Sequence, residues 1–565
     1  MSDHVAETRQ RPWLNLYGPG LPADVPPGPM HVLDLYRAKV HANAENEAIR
    51  YFDASLSYRD IEEMSDAFAV WLQDRGVRPG ARVGVILQNV PHFVIVTLAV
   101  WKIGAIPVPG NPMYRADELS RIFADYQPAA VVCHDDHHPA VAEAIEASGV
   151  GVLAIATVSA HDLQNGDDAR LLPPRAPPSA ADLASICADR SRRPGAYVPC
   201  DPSSIGLILY TSGTTGVPKG AVISHASLAS NIRTSLTWMR VGPASRILAL
   251  APFFHITGFV LHMGLALAAG CSMAVHYRFQ PEAVLDIIRD YRPTFTIAAI
   301  TAYNSLMNSS GVTAADFRSF SDVFTGGAPV APALRDVVLE KLGIDLRPVY
   351  GLTESCSPTH IAPPGLDIPI HAETGALAVG FPISSTECRI VGPDGKTLGP
   401  GLAGEIWIRG PQVMTGYWNK PMETKEALYD GWLRTGDVGV MNEAGWFFVV
   451  DRQKDMINAS GFKVWPGEVE AVLLAHGDIR EAAVVGAPDS YRGETVHAFV
   501  SLVPGADPGK VDEASLVRYC RERLAAYKVP RRFWFMEDLP KTPTGKIIRA
   551  ALREKAAQDH PPRLA

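Results

Sequence analysis

Tyr210-Thr211-Ser212-Gly213-Thr214-Thr215-Gly216-Val217-Pro218-Lys219-Gly220 lies between two short apolar runs, Ile205 to Leu209 and Ala221 to His225, each of which reads as a strand. Its glycines let the backbone turn back on itself and aim N–H groups into a common hollow, which suits phosphate oxygens. The hydroxyls of Thr211, Ser212, Thr214 and Thr215 and the ammonium of Lys219 add donors and a positive charge to that hollow. The spacing departs from the P-loop: Pro218 stands where that motif has glycine, and Gly220 where it has Ser or Thr. The stretch therefore reads as a phosphate cradle of another kind. The alternative is a Gly/Ser/Thr turn with no ligand.

Around this hairpin the pattern is layered α/β. Residues 34 to 160 alternate helical stretches with Val/Ile-rich strands such as Arg82 to Leu87 and Ala129 to Cys133, which predicts a largely parallel sheet. Leu171 to Pro202 is rich in Pro, Ala, Ser and Arg and reads as a surface linker. A second α/β block runs from the cradle to about Pro363. Short strands with glycine turns follow to about residue 450 and predict a small antiparallel β-barrel. After Asp451-Arg452 a compact α+β segment begins, with helices over Glu468 to Ala475 and Glu513 to Ala526 and strands over Ala482 to Val485 and His497 to Leu502. The predicted fold is thus α/β. A large N-terminal domain, 1–452, holds two α/β subdomains (about 30–200 and 201–365) and the barrel (366–450). A C-terminal α+β domain, 453–565, completes it.

Composition narrows the class. The chain has 565 residues, 47% hydrophobic and 20% charged, which describes a globular protein too long for one core. A net charge of −8 offers no footprint for nucleic acid. The seven cysteines form no C-x-x-C pair, which argues for reduced thiols and a cytoplasmic setting. Met1 to Trp13 has no apolar run of the signal-peptide kind. The longest apolar stretch, Phe259 to Val275, is interrupted by His262, Gly264, Gly270 and Ser272 and falls short of the roughly 20 residues of a membrane span. It reads as a buried helix ending at Gly270, then a strand. Peripheral contact with lipid stays open, as does the choice between monomer and homodimer.

Further motifs follow the cradle in order: Pro252 to Gly258, Thr325-Gly326-Gly327-Ala328-Pro329, Tyr350-Gly351-Leu352-Thr353-Glu354, Gly404 to Gly410, Gly431 to Asp437, Asp451-Arg452-Gln453-Lys454-Asp455, Ser460-Gly461-Phe462-Lys463 and Pro540 to Lys546. In this order the set resembles the adenylate-forming superfamily of acyl-CoA synthetases, peptide-synthetase adenylation domains and luciferases, over roughly residues 30 to 555. The resemblance implies ATP, Mg²⁺ and coenzyme A as cofactors and a mobile C-terminal domain. A carboxylate would be joined to AMP with release of pyrophosphate, and the acyl group then passed to CoA.

The roles implied are residue-specific. Thr211, Ser212, Gly213, Thr214, Thr215, Gly216 and Lys219 would hold the outer phosphates. Thr353 would contact the α-phosphate, and Glu354 would ligate Mg²⁺, which often takes one carboxylate plus phosphates; a simple helix start is the alternative. Tyr350, with Gly326, Gly327, Ala328 and Pro329, would border adenine, or Tyr350 is a packed core residue. Asp437 would bind the ribose hydroxyls, or sit in an ordinary turn. Arg452 would reach ribose or phosphate, or form a surface ion pair. Lys546 would stabilise the charge that develops as the carboxylate attacks the α-phosphate. Gly461 would border the pantetheine tunnel, and Lys454 would be the hinge; a turn glycine and a solvated lysine are the alternatives.

The acid would lie against His255, Thr257, Gly258, Phe259, Met263, Ala298, Thr301, Gly326 and Gly351, an apolar and small-residue set suited to an uncharged hydrophobic acid. Phe254-His255 carries no aspartate for an amino group, which disfavours α-amino acids. Asn111 to Arg115 and Ala459 to Glu468 look most like the fatty-acyl branch. An aryl acid–CoA ligase and an acyl-AMP ligase that loads a carrier protein remain alternatives.

Overall fold

The computed structural model describes residues 11–25, 28–194, 198, 201–211, 218–452, 455–459, 462–489, 493–506, 511–542 and 546–558. A nine-stranded sheet is its centre, in the order Phe381–Pro382, Ser357–Ile361, Leu346–Leu352, Asp322–Thr325, Phe295–Ala298, Arg246–Leu248, Ser272–Val275, Glu47–Tyr51, Ala54–Ser57. The six inner strands, from Leu346–Leu352 to Glu47–Tyr51, are parallel and the outer ones antiparallel. A second, fully parallel sheet runs Ile106–Pro109, Arg82–Ile86, Ala130–His134, Ala154–Val158, Ala181–Asp182. The α/β expectation rests on this pair.

The helix Pro91–Lys102 is buried on every side, as its unbroken apolar sequence requires. The helix Tyr58–Asp74 begins at a Ser57/Asp60 capping box, in which each side chain bonds the other's backbone N–H. The apolar stretch after His255 is helical to Ala269, and Gly270 takes the left-handed stop at φ 74°, followed by the strand Ser272–Val275. Its first part, Phe259–Gly264, is a π-helix.

Residues 171–202 are more than a surface linker. Ala181–Asp182 adds an edge strand, and Leu171, Leu172, Leu183 and Cys187 are buried. The arginines that made the segment look solvent-facing reach back to the helix Tyr58–Asp74, Arg190 to Asp60 and Arg192 to Asp74.

The segment expected to form a small barrel pairs as an antiparallel five-stranded sheet. Glu387–Val391, Gly404–Arg409 and Trp432–Met441 lie side by side, and Leu428–Tyr429 and Phe447–Arg452 pair with Trp432–Met441. The C-terminal domain has its own sheet, in which Gly493–Leu502 pairs with Ile479–Asp489, Ile457–Ala459 and Arg532–Phe535. Alternate residues of that sheet enter two cores: Val484, Val496 and Val500 on one face, Val485 and Phe499 on the other. The helix expected to reach Ala526 ends at Arg521, because its final turn tightens into the bond from Arg523 N–H to the Cys520 carbonyl. Among the described residues no helix is long and apolar enough to cross a membrane, and Cys133, Cys187, Cys271, Cys356, Cys388 and Cys520 are buried and form no disulfide.

Candidate active site

Chain order and sheet order diverge at Arg246–Leu248. The next strand, Ser272–Val275, lies on one side of it and the following one, Phe295–Ala298, on the other. In an open α/β sheet such a reversal leaves a crevice at the carboxyl ends of the strands. Pro252 to His255 leave the switch strand there. Thr301 follows Phe295–Ala298, Gly326 follows Asp322–Thr325, and Thr353-Glu354 follow Leu346–Leu352. Four strand ends therefore deliver most of the expected site residues to one edge.

His255 starts the helix Ile256–Gly258, and its Nδ1 accepts from the Thr257 N–H at 3.3 Å. Burial, and after it the Lys546 ammonium, push its imidazole down to about 4. The ring is therefore neutral near pH 7, and Lys546 lies close enough for its charge to act there. Lys546 is exposed, its N–H donating to Thr542 Oγ1 at 3.1 Å while its carbonyl accepts from the Thr542 N–H at 2.7 Å.

The other residues expected to line the acid behave differently from one another. A Cβ on Gly258 would fall 2.2 Å from the Pro252 carbonyl oxygen, and one on Gly351 would fall 2.1 Å from that of Ser357. Both glycines are demanded by the chain's own backbone. Phe259 is buried, with its ring against Phe93 and Trp101 at 6.3 and 5.9 Å. Behind it a cavity bounded by Tyr36, Trp101, Ile232 and Met263 has room for about one water molecule, 10 Å³. His262, fully buried, accepts from the Ile297 N–H at 3.3 Å and ties the π-helix to a strand.

On the nucleotide side, the Tyr350 hydroxyl donates to Asp437 Oδ2 at 2.8 Å. Asp437 is 5% exposed, and its N–H donates to Thr435 Oγ1 at 3.1 Å. The preceding Gly436 N–H donates to Glu405 Oε1 at 3.1 Å, and the Trp407 indole to Glu405 Oε2 at 2.8 Å. Arg452 pairs with Asp437 through the backbone of the next strand. Gly326 lies tight against Val349, whereas Gly327, at φ 84°, faces open space.

The phosphate side is an antiparallel hairpin, Ile205–Thr211 with Lys219–Ser224, extended by Gly416–Tyr417. Thr211 Oγ1 donates to the Lys219 carbonyl at 3.4 Å, at the last pair before the two strands are joined. Ser212, Gly213, Thr214, Thr215 and Gly216 lie outside the described residues, as do Lys454 and Gly461. Glu354 Oε1 accepts from the Tyr417 hydroxyl at 2.8 Å, and Lys219 Nζ stands 5.4 Å from the centre of the Tyr417 ring. Among the described residues no cluster of His, Cys, Asp or Glu could hold a metal by itself. A single carboxylate, Glu354, is an oxygen donor of the kind that would suit a Mg²⁺ arriving on a nucleotide.

Two residues that brace these elements escaped the sequence reading. Tyr417 is one, and the Gly416-Tyr417-Trp418-Asn419 run was its only signal. Asp125 is another. Its carboxylate accepts from the Tyr210 hydroxyl at 2.5 Å, and its carbonyl accepts from Trp418 Nε1 at 3.3 Å and Asn419 Nδ2 at 3.2 Å. It ties the hairpin to the first subdomain.

Comparison with known proteins shows the family. The chain is 33% identical to a long-chain-fatty-acid–CoA ligase of Bacillus subtilis (strain 168), covering 98% of this chain and 99% of the relative. It is 34% identical to a feruloyl-CoA synthase of an Amycolatopsis species, covering 92% and 97%. ATP-bound MatB from Rhodopseudomonas palustris superposes with a TM-score of 0.82 at 28% identity, covering 93% of this chain and 98% of that one. The AMP-binding enzyme model matches residues 36–418 and its C-terminal-domain model residues 468–546, so this chain belongs to the AMP-binding enzyme family.

Proposed function

We propose that the chain is an AMP-forming acid–thiol ligase that joins a hydrophobic carboxylic acid to coenzyme A. A free carboxylate has no good leaving group. In the first step its oxygen attacks the α-phosphorus of ATP, the bond to the β-phosphate bridge breaks, and pyrophosphate leaves. In the second, the CoA thiolate attacks the acyl carbonyl and AMP leaves. The first transition state spreads negative charge around an in-line phosphorus, so catalysis is positioning and electrostatics.

Each need has a residue. Thr211, Lys219 and the cradle residues between them take the outer phosphates. Glu354 would hold Mg²⁺ entering with ATP, which would neutralise phosphate charge, and Thr353 meets the α-phosphate. Asp437 takes the ribose hydroxyls, and Tyr350 with Gly326 to Pro329 borders the base. Lys546 supplies the cation at the reacting oxygens. For the second step the C-terminal domain turns about Lys454, withdraws Lys546 and brings Gly461 beside the thiol, with Arg452 beside the nucleotide. The reading is carried by the family match, the AMP-binding enzyme model over residues 36–418 and its C-terminal-domain model over 468–546, the second of which ends on Lys546.

The acid belongs in a crevice of neutral and small groups, His255 being uncharged, which suits an aliphatic or aryl acid. Relatives named for long-chain fatty acids and for ferulate bracket that range. ATP and CoA as substrates suit a cytoplasmic setting. The test is a panel of straight-chain, branched and aromatic acids assayed for AMP release with MgATP, with and without CoA. Thioester formed with at least one hydrophobic acid is the expected result. Acyl-AMP without thioester would assign the acceptor to a carrier protein, and no acid-dependent AMP would sink the reading.

A further inference from the structure

Tyr417 touches two groups that should not touch each other. Its hydroxyl bonds Glu354 Oε1 at 2.8 Å, and its ring face stands 5.4 Å from Lys219 Nζ. No ion pair joins Lys219 to Glu354 among the described residues. The ring is fixed from its backbone: Tyr417 pairs with Ala221, Trp418 N–H donates to the Gly220 carbonyl at 2.7 Å, and Tyr417 N–H donates to Thr424 Oγ1 at 2.8 Å. The same segment reaches Glu354 again through the Met414 N–H, 2.8 Å from the Glu354 carbonyl oxygen. The Tyr417 segment is therefore anchored both to the strand that carries Lys219 and to the turn that carries Glu354.

We infer that Tyr417 is a positioning residue that separates Lys219 from Glu354, keeping the ammonium available for phosphate and the carboxylate available for the nucleotide's Mg²⁺. This rests on the ligase reading above. A lysine and a glutamate left side by side would pair, and each would have to be freed before nucleotide binds. The phenol prevents this by holding one carboxylate oxygen through a neutral donor and offering the ammonium an aromatic face, which attracts a cation without neutralising it.

The experiment is calorimetric titration with the α,β-methylene analogue of ATP, with and without Mg²⁺, on wild type, Tyr417→Phe, Tyr417→Leu and Tyr417→Leu/Glu354→Gln. Tyr417→Phe should weaken the Mg²⁺ complex about five- to tenfold and leave the metal-free nucleotide within about twofold, since only the carboxylate's tether is lost. Tyr417→Leu should weaken both forms about tenfold, and adding Glu354→Gln should restore metal-free binding, because Lys219 then has no carboxylate to pair with. Thermal melts exclude misfolding, and Tyr417→Phe keeps the test sharp if the leucine variant unfolds. Equal binding of both forms by Tyr417→Phe and wild type, or no rescue by Glu354→Gln in a folded leucine variant, overturns the inference. A wild type that forms no acid-dependent AMP would instead overturn the ligase reading.

Discussion

The Tyr350 hydroxyl and the Asp437 carboxylate, 87 residues apart, are joined at 2.8 Å. The bond orients a buried carboxylate, the one proposed above to take the ribose hydroxyls. Removing the acceptor loses charge-assisted hydrogen bonds worth about 1.5–3 kcal/mol, or about ten- to a hundredfold in affinity. Asp437→Ala should raise the KM for ATP by that factor with the KM for the acid nearly unchanged. Tyr350→Phe, which keeps the carboxylate, should cost less. Steady-state kinetics varying each substrate checks both.

Lys546→Ala should slow acyl-AMP formation by about 10²–10³ or more, the usual cost of one transition-state charge partner. Thioester formation from supplied acyl-AMP should be spared. Pyrophosphate exchange measures the first step and thioester release the second; equal losses in both would count against a lysine that serves only adenylation.

Gly351→Ala should act on the fold before it acts on the acid. The added methyl meets a backbone oxygen at 2.1 Å, so the two strands must separate. Overpacking of this kind costs about 1–3 kcal/mol. Urea unfolding should report that loss without substrate; unchanged stability with altered acid preference would make Gly351 a lining residue alone.

Acid should destabilise the protein through its buried histidines. Burial pushes His92 down to about 4 and His134, His225, His262 and His360 to about 3, all from 6.5. Between about pH 4 and 6.5 the unfolded chain binds protons that the folded one refuses, so stability rises with pH in that window. Each histidine adds up to about 1.4 kcal/mol per pH unit. Asp162 opposes them: burial raises its carboxyl to about 6, and that stabilisation fades as pH climbs through 6. Burial raises the Asp66 and Asp135 carboxyls too, but it also lowers His31, His137, His255 and His276, so the histidines outweigh the carboxyls. Denaturant midpoints should fall from pH 6.5 to 4.5, and a flat profile would refute this.

Much of this architecture could be read from residues alone where local chemistry decides it. Gly270 announced its helix stop because a left-handed turn needs no more than a glycine at that place. The strands flanking the cradle were legible because their apolar runs are interrupted by glycines and hydroxyls. The π-helix Phe259–Gly264 was not, since a stretch apolar on every side carries no periodicity to distinguish one helical pitch from another. The edge strand Ala181–Asp182 hid in a Pro- and Arg-rich composition, and only its place beside Ala154–Val158 gives it order. Tyr417 and Asp125 were invisible for another reason: their partners are 63 and 85 residues away, and no local spacing encodes such a meeting. Gly258 and Gly351 show the converse, where the residue type was seen but the carbonyl facing it was not.

The reversal of strand order at Arg246–Leu248 has a bearing on how such an enzyme diversifies. In the proposed site the acid would be met by loops leaving separate strands, while those strands are secured in their neighbours' hydrogen bonds further back. A change of acid can therefore be drafted one loop at a time, with the framework beneath left standing. The hairpin that would grip the triphosphate belongs to a different sheet, so altered taste for the acid need not be purchased with a weaker hold on ATP.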